Sequence, residues 1–345
     1  MEGMLLVRAL NIHGVNDVRL DPKVAPVADH RDVLVEVKAC GICGSDLTYI
    51  RIGGMPREPG GLTPIGHEAA GVIVSVGKDV KGLSVGQRVV INPMTTPSNI
   101  GSGGPEGAFT DLLLVKEARA GDNLLSIPDD VPFDIAALSE PLAVALHGVN
   151  RAEAKPTDKA VVFGCGPIGL GMVLWLADQG LTDIVAVDLA DERLECARKL
   201  GASVLVNPQR ENLRTRLMDV HGRARVLSRD AVGTDIFLDA AGAPSIPSDV
   251  VRMAKFHSRM VISALYMKDV PMSFGAMLTT EMTITTAMGY PTEMPVVVAA
   301  LSRLHNQLSL MISHRYPFDK VIEALGVAGT PQSAKVMIEM ADAAA

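Results

Sequence analysis

The chain has little cysteine, no excess of positive charge and no low-complexity tract, and each shortage removes a class of protein. Four cysteines among 345 residues are too few for the disulfide framework that small secreted domains depend on. Cys40, Cys43, Cys165 and Cys196 are therefore expected as reduced thiols or metal ligands in a cytoplasmic protein. A formal net charge of -7 argues against a nucleic-acid partner, because phosphate backbones are held by basic faces. The opening residues, MEGMLLVRALNIHG, lack a charged segment leading into an apolar one, so no secretory signal is expected. The most apolar stretch, VVFGCGPIGLGMVLWLA at 161–177, suggests a membrane span at first sight. Pro167 and four glycines interrupt it, and it falls short of the ~20 apolar residues a span needs. A buried strand, a tight turn and a buried helix account for it better.

What is present describes a soluble globular protein: hydrophobic residues make up 48% and charged residues 21%, outside the range of disordered chains. The length exceeds what one hydrophobic core supports, so two domains are expected. The first half reads as β-rich, with strands in DVLVEVKACG, EAAGVIVSVG and GQRVVIN, and with Gly/Pro clusters at 53–66 and 97–107 as surface loops. FDIAALSEPLAVALHGVNRA carries apolar residues at helical spacing. From about residue 155 strands (AVVFG, IVAVD, VLVN, IFLDAAG, MVISAL) alternate with amphipathic stretches such as DERLECARKLGA. That alternation predicts a parallel sheet covered by helices, an α/β fold. Arginine-rich residues 210–231 read as a helix and a solvated loop. Beyond residue 288, PVVVAALSRL and DKVIEALGVA look helical and AKVMIEM looks like a strand.

Gly164-x-Gly166-x-x-Gly169 follows the strand AVVF and opens an apolar helix. The bare pattern is common, but this context is the one a dinucleotide-binding turn requires. Gly164 permits the turn, Gly166 lets backbone approach a pyrophosphate, and Gly169 allows close helix–sheet packing, with the helix N-terminus favouring phosphate. Asp188 ends the next strand, about twenty residues on, where an acid accepts hydrogen bonds from the adenosine ribose. Its charge would repel a 2′-phosphate, which favours NAD over NADP. The bland alternative is a Gly-rich turn that binds no nucleotide, with Asp188 a solvated strand-end acid.

A second constellation lies earlier: Cys43 and Asp46 in GICGSD, His67 and Glu68 in GHE, and Glu140 in SEPLAVALHG. Thiolate, imidazole and carboxylate are the groups that bind Zn²⁺, and a catalytic site leaves one position open. Each residue alone has an ordinary reading, but Glu140 within an apolar helix is hard to dismiss, because a buried unpaired carboxylate is costly. Cys40 and Cys43 form a CxxC without a second one to complete a four-thiolate site, so Cys40 reads as structural.

These segments together resemble the zinc-containing medium-chain dehydrogenases, particularly the sorbitol and threonine dehydrogenase branch. GICGSD, PIGHEAAGVIVSVG, GQRV, EPLAVALHG, GCGPIGL with VD, and HRYPF occur in that family's order over nearly the whole chain. The resemblance implies a GroES-like β-rich catalytic domain at 1–151, a Rossmann NAD-binding domain at 152–287 and a return to the catalytic domain at 288–345. It implies that Cys43, His67 and Glu68 hold a catalytic zinc, that Glu140 completes the metal shell or holds its water, and that Asp46 orients the histidine. Ser45 would pass the substrate proton toward the nicotinamide ribose; Thr48, Tyr49 and Tyr290 would border the substrate. Pro167, Ile168 and Arg193 join the glycines and Asp188 in the cofactor set. The expected partners are a small alcohol or ketone and further copies of the chain, as a homodimer or homotetramer through the Rossmann sheet near residues 260–274.

Three departures from the family bear on function. The stretch INPMTTPSNIGSGGPEGAF lacks the four cysteines that hold a structural zinc in many relatives, so one zinc per chain is expected. Thr48 stands where a histidine commonly ends the proton relay, and a hydroxyl does not titrate near neutrality. Gly289 stands in AMGYP where polyol dehydrogenases usually carry an arginine, which weakens the case for a sugar alcohol. The expected activity is hydride transfer between a secondary alcohol or diol and NAD. A polyol or amino-alcohol dehydrogenase is the alternative within enzymes. A catalytically silent NAD-binding protein and a zinc-free quinone reductase are alternatives of other kinds. Methionines between 267 and 288 read as flexible packing, or as an adaptable pocket or subunit contact.

Overall fold

A computed structural model describes residues 5–55 and 61–340, so part of the 53–66 loop lies outside the described residues. In chain order the first elements are β1 (Leu6–Gly14), β2 (Asp17–Val24), β3 (Val33–Gly41), α1 (Gly44–Ile52), β4 (Thr63–Pro64), β5 (Glu68–Val76), β6 (Arg88–Ile91), β7 (Leu112–Val115), β8 (Leu124–Ser126), α2 (Phe133–Ala137) and α3 (Ser139–Arg151). Then come β9 (Ala160–Phe163), α4 (Pro167–Asp178), β10 (Ile184–Val187), α5 (Asp191–Leu200), β11 (Val204–Val206), α6 (Leu213–Val220), β12 (Arg223–Val226), β13 (Arg229–Val232) and β14 (Ile236–Asp239). The chain finishes with α7 (Ile246–Met253), β15 (Arg259–Ile262), α8 (Phe274–Leu278), β16 (Thr283–Thr286), α9 (Met294–Ser309), β17 (Ile312–Pro317), α10 (Val321–Ala328) and β18 (Lys335–Glu339).

Two compact units result, one from Met1–Glu140 with Met294–Ala345 and the other from Pro141–Glu293. The divisions fall near the start of α3 and immediately before α9, whereas the boundaries that the resemblance implies, 151/152 and 287/288, fall at the end of α3 and just after β16.

In the first unit β17, β18, β3, β5, β6 and β8 hydrogen-bond in that order, and β7 also pairs with β3. Strand β3 is buried along most of its length, because partners and helices cover it on all sides; its sequence, VLVEVKACG, accordingly departs from simple alternation. Strand β18 arrives from the C-terminal return and pairs antiparallel with β3, Met337 opposite Gly41. On the other flank β5 sets Glu68 opposite Gly41. Residues 97–107, expected as a surface loop, bury Ser98 and Glu106, and Thr96 just before them is buried as well. Asn92 caps a short 3₁₀ turn, Pro93–Thr95, and Lys23 binds Glu106 at 2.9 Å. These polar contacts brace the stretch.

The second unit carries a six-stranded sheet in the order β11-β10-β9-β14-β15-β16, every pair parallel. Renumbered within the sheet this is 3-2-1-4-5-6, the Rossmann order, in which ligands bind at the switch between the first and fourth strands. The apolar run 161–177 resolves into β9, a turn and α4, whose residues from Gly169 to Leu176 are all buried. No described helix is long and apolar enough to cross a membrane. Two elements differ from the sequence reading. Residues beyond α6 form a hairpin, β12–β13, in which RARV pairs antiparallel with RDAV. Strand β16 is four residues of TITT, too short for periodicity to reveal. Phe237 is fully buried in the core of this sheet. Phe237→Ala should cost this unit ~3–5 kcal/mol, read as a lowered denaturation midpoint; a change below about 1 kcal/mol would contradict the packing described.

Candidate metal centre and cofactor turn

Helix α1 begins immediately after Cys43, and its first turn fixes the thiol. The Asp46 carboxylate accepts the backbone N–H of Cys43 at 2.9 Å and that of Gly66 at 3.2 Å. One fully buried acid thereby ties the thiol segment to the histidine segment. Gly66 has φ +93, and a Cβ there would sit 2.7 Å from the Phe109 backbone nitrogen, so the sharp bend before His67 requires glycine. Strand β5 then delivers His67 and Glu68.

The Cys43 Sγ, a His67 ring nitrogen and a Glu68 oxygen all lie within 4.8 Å of one another. Tetrahedral zinc would draw such ligands to about 3.5 Å apart, an adjustment within the reach of side-chain rotation. His67 Nδ1 is buried without a hydrogen-bond partner and stands 3.6 Å from Asp46 Oδ1, outside hydrogen-bond range. Burial alone would lower the imidazole pKa, but the charges of Asp46 and Cys43 outweigh it and hold it well above the ordinary value. The surroundings thus favour positive charge at this point, and the donors (sulfur, nitrogen, oxygen) suit zinc. Burial pushes the Cys40 thiol far up, consistent with its structural reading. Glu140 bears electrostatically on His67 but does not belong to the mutually close triad.

Lys335, on β18, was invisible to pattern reading. It is 1% exposed, and its Nζ donates to Glu68 Oε1 at 2.7 Å, to Glu68 Oε2 at 2.6 Å and to the Ile42 carbonyl at 2.9 Å. All three ammonium donors are used. Burial would lower its pKa, yet Glu68 and Cys43 raise it above the ordinary value. A Cβ on Gly41 would lie 2.0 Å from Glu68 Oε2, so glycine makes the room this pair occupies. Its strand, KVMIE, carries a charged residue at each end, so no local signal sets this lysine apart from a solvated one.

Ser45 is half-buried on α1. Thr48 is already engaged: its hydroxyl donates to the Gly44 carbonyl at 3.1 Å and accepts from Arg51 at 3.1 Å. Tyr49 packs against the core of its unit. Tyr290, in the other unit, is 2% exposed.

In the second unit Gly164 adopts φ +83, and Gly166 precedes α4 with open space where a Cβ would be. Pro167 takes the first helical turn, followed by Ile168. A Cβ on Gly169 would lie 1.7 Å from the Gly164 carbonyl oxygen. Asp188 accepts the N–H groups of Cys165 at 2.6 Å and Ala190 at 2.8 Å, so it braces the turn from the next strand. Arg193, on α5, is close enough for its charge to favour ionisation of Cys165, although burial keeps that thiol protonated.

The profile of the alcohol dehydrogenase GroES-like domain matches residues 29–129, and that of the zinc-binding dehydrogenases matches residues 167–303. The chain is 30% identical over 341 residues to (R,R)-butanediol dehydrogenase of Bacillus subtilis, covering 92% of this chain and 94% of that one. The chain belongs to the zinc-containing medium-chain dehydrogenases. Another member, the sorbitol dehydrogenase of Bombyx mori, is 27% identical, with 95% of this chain and 97% of that one covered. The solved structure of the Bacillus subtilis 2R,3R-butanediol dehydrogenase superposes with a TM-score of 0.85 at 28% identity, over 96% of this chain and 99% of that one. Like these dehydrogenases, the chain is an oxidoreductase acting on CH–OH groups, with zinc and a nicotinamide nucleotide as cofactors.

Gly169→Ala should lower nicotinamide nucleotide affinity by about tenfold or more, since the close approach in the turn has no slack. Unchanged affinity by titration would separate this turn from cofactor binding.

Proposed function

We propose that the chain transfers a hydride between a secondary alcohol or vicinal diol and NAD, using one catalytic zinc per chain. The observation that carries the reading is the convergence of Cys43, His67 and Glu68 in a buried pocket whose charge favours a cation. Bound zinc would supply Lewis acidity to the substrate oxygen, and bound nicotinamide the hydride acceptor. Cys43 and His67 would hold the ion, with Glu68 and Glu140 as carboxylates able to ligate or to hold water. Asp46 fixes the backbone on both sides of the site. Ser45 would carry the substrate proton outward. Because Thr48 already donates to Gly44, the proton leaves to solvent without a titrating histidine, which flattens the pH dependence near neutrality.

Asp188 supports NAD over NADP: a carboxylate that two backbone N–H groups orient at the end of β10 would oppose a 2′-phosphate. For the substrate, the named diol and polyol relatives bound the class. Gly289 has φ +65, a conformation an arginine would adopt only with strain, so the pocket is built without that cation. Less polar diols and secondary alcohols fit better than sugar alcohols. The stretch at 91–109 has no thiols and is braced by polar contacts, which supports a single ion. Strand β16 ends the Rossmann sheet, and Leu265, Met267, Phe274, Leu278 and Met288 are exposed in its unit; this supports a homodimer or homotetramer joined there. Four free thiols support a cytoplasmic setting.

Cys43→Ser and His67→Ala should each abolish NAD reduction by butane-2,3-diol and related alcohols while NAD binding persists. Retained turnover in either variant would contradict the metal assignment. Metal analysis of the purified chain should give one zinc per chain, and two would contradict the reading of the loop.

A further inference from the structure

Glu68 and Lys335 form an ion pair inside the site itself, with both oxygens of the carboxylate on one ammonium and neither residue more than 1% exposed. Gly41 supplies the space and the Ile42 carbonyl takes the third ammonium proton. We propose that Lys335 is a built-in counter-ion that stands in for the metal, keeping the metal pocket folded before zinc arrives and competing with zinc for Glu68 afterwards. The inference rests on the metal reading above.

Glu68 is buried, and a buried carboxylate without a partner is strongly destabilising. Lys335 is the cation in contact with both of its oxygens. When zinc binds, the same carboxylate is wanted by two cations, and the ammonium also repels the incoming ion. Lys335 therefore trades metal affinity for stability of the empty pocket. A lysine serving only to hold Glu68 in a ligating pose would have the opposite effect on affinity, because its loss would disorder a ligand.

The test is Lys335→Met, compared with the unaltered chain in chelator-stripped and zinc-loaded forms. Thermal unfolding should show a lowered midpoint for the stripped variant and a zinc-induced rise larger than in the unaltered chain. Competition with a zinc-binding dye should show affinity increased on the order of tenfold. The double variant Lys335→Met with Glu68→Gln removes both charges, and should recover most of the stripped-form stability; it serves if the single variant does not fold without metal. Equal loss of stability in both forms, or zinc affinity unchanged or weakened, would overturn the proposal and leave the metal site standing. An unaltered chain that binds no zinc at all would overturn the metal reading and this proposal together.

Discussion

The whole first unit is organised around negative charge placed where water does not reach. Asp46 and Glu68 are almost completely buried, Glu140 nearly so, and the Cys43 thiol stands beside them. Such a collection is tolerable only if backbone donors and cations surround it. Asp46 obtains two backbone N–H groups, Glu68 obtains Lys335, and the negative groups around His67 favour positive charge there. A divalent ion is the natural completion of that arrangement, and the dehydrogenase chemistry follows from where the ion would sit.

Topology explains how sequence-distant groups reach one point. Strand β3 runs through the middle, with β5 on one side and β18 on the other. Its last residue, Gly41, lies opposite Glu68 on one flank and Met337 on the other. The return of the chain after the Rossmann unit is therefore part of the candidate metal centre, since it carries Lys335 to the carboxylate. The Rossmann turn obeys a similar economy: Asp188 closes the backbone of Cys165 from the neighbouring strand, and Gly169 permits contact with the Gly164 carbonyl.

Much of this was legible in the residues because several signals agreed. Strand–glycine turn–helix–strand–acid is the context a dinucleotide-binding turn requires, and the thiol, imidazole and carboxylates occur in the order of a known family. What escaped reading did so for physical reasons. Lys335 is a charged residue buried by a partner far away in sequence, and burial of charge leaves no local trace. Strand β16 and the β12–β13 hairpin are too short for periodicity, and arginine there suggests a solvated loop. The 97–107 stretch looks like surface because its glycines and prolines mark turns, while Glu106 is buried against Lys23, a partner far away in sequence. The precise place of Glu140 and the orientation of His67 depend on ångström-scale geometry that composition does not carry.

X-ray absorption at the zinc edge of the purified protein measures the atoms around the ion directly. With Cys43, His67 and Glu68 as ligands, the shell should hold a single sulfur at about 2.3 Å and nitrogen or oxygen neighbours at about 2.0–2.1 Å. A shell with no sulfur, or one averaging more than a single sulfur per zinc, would contradict that ligand set.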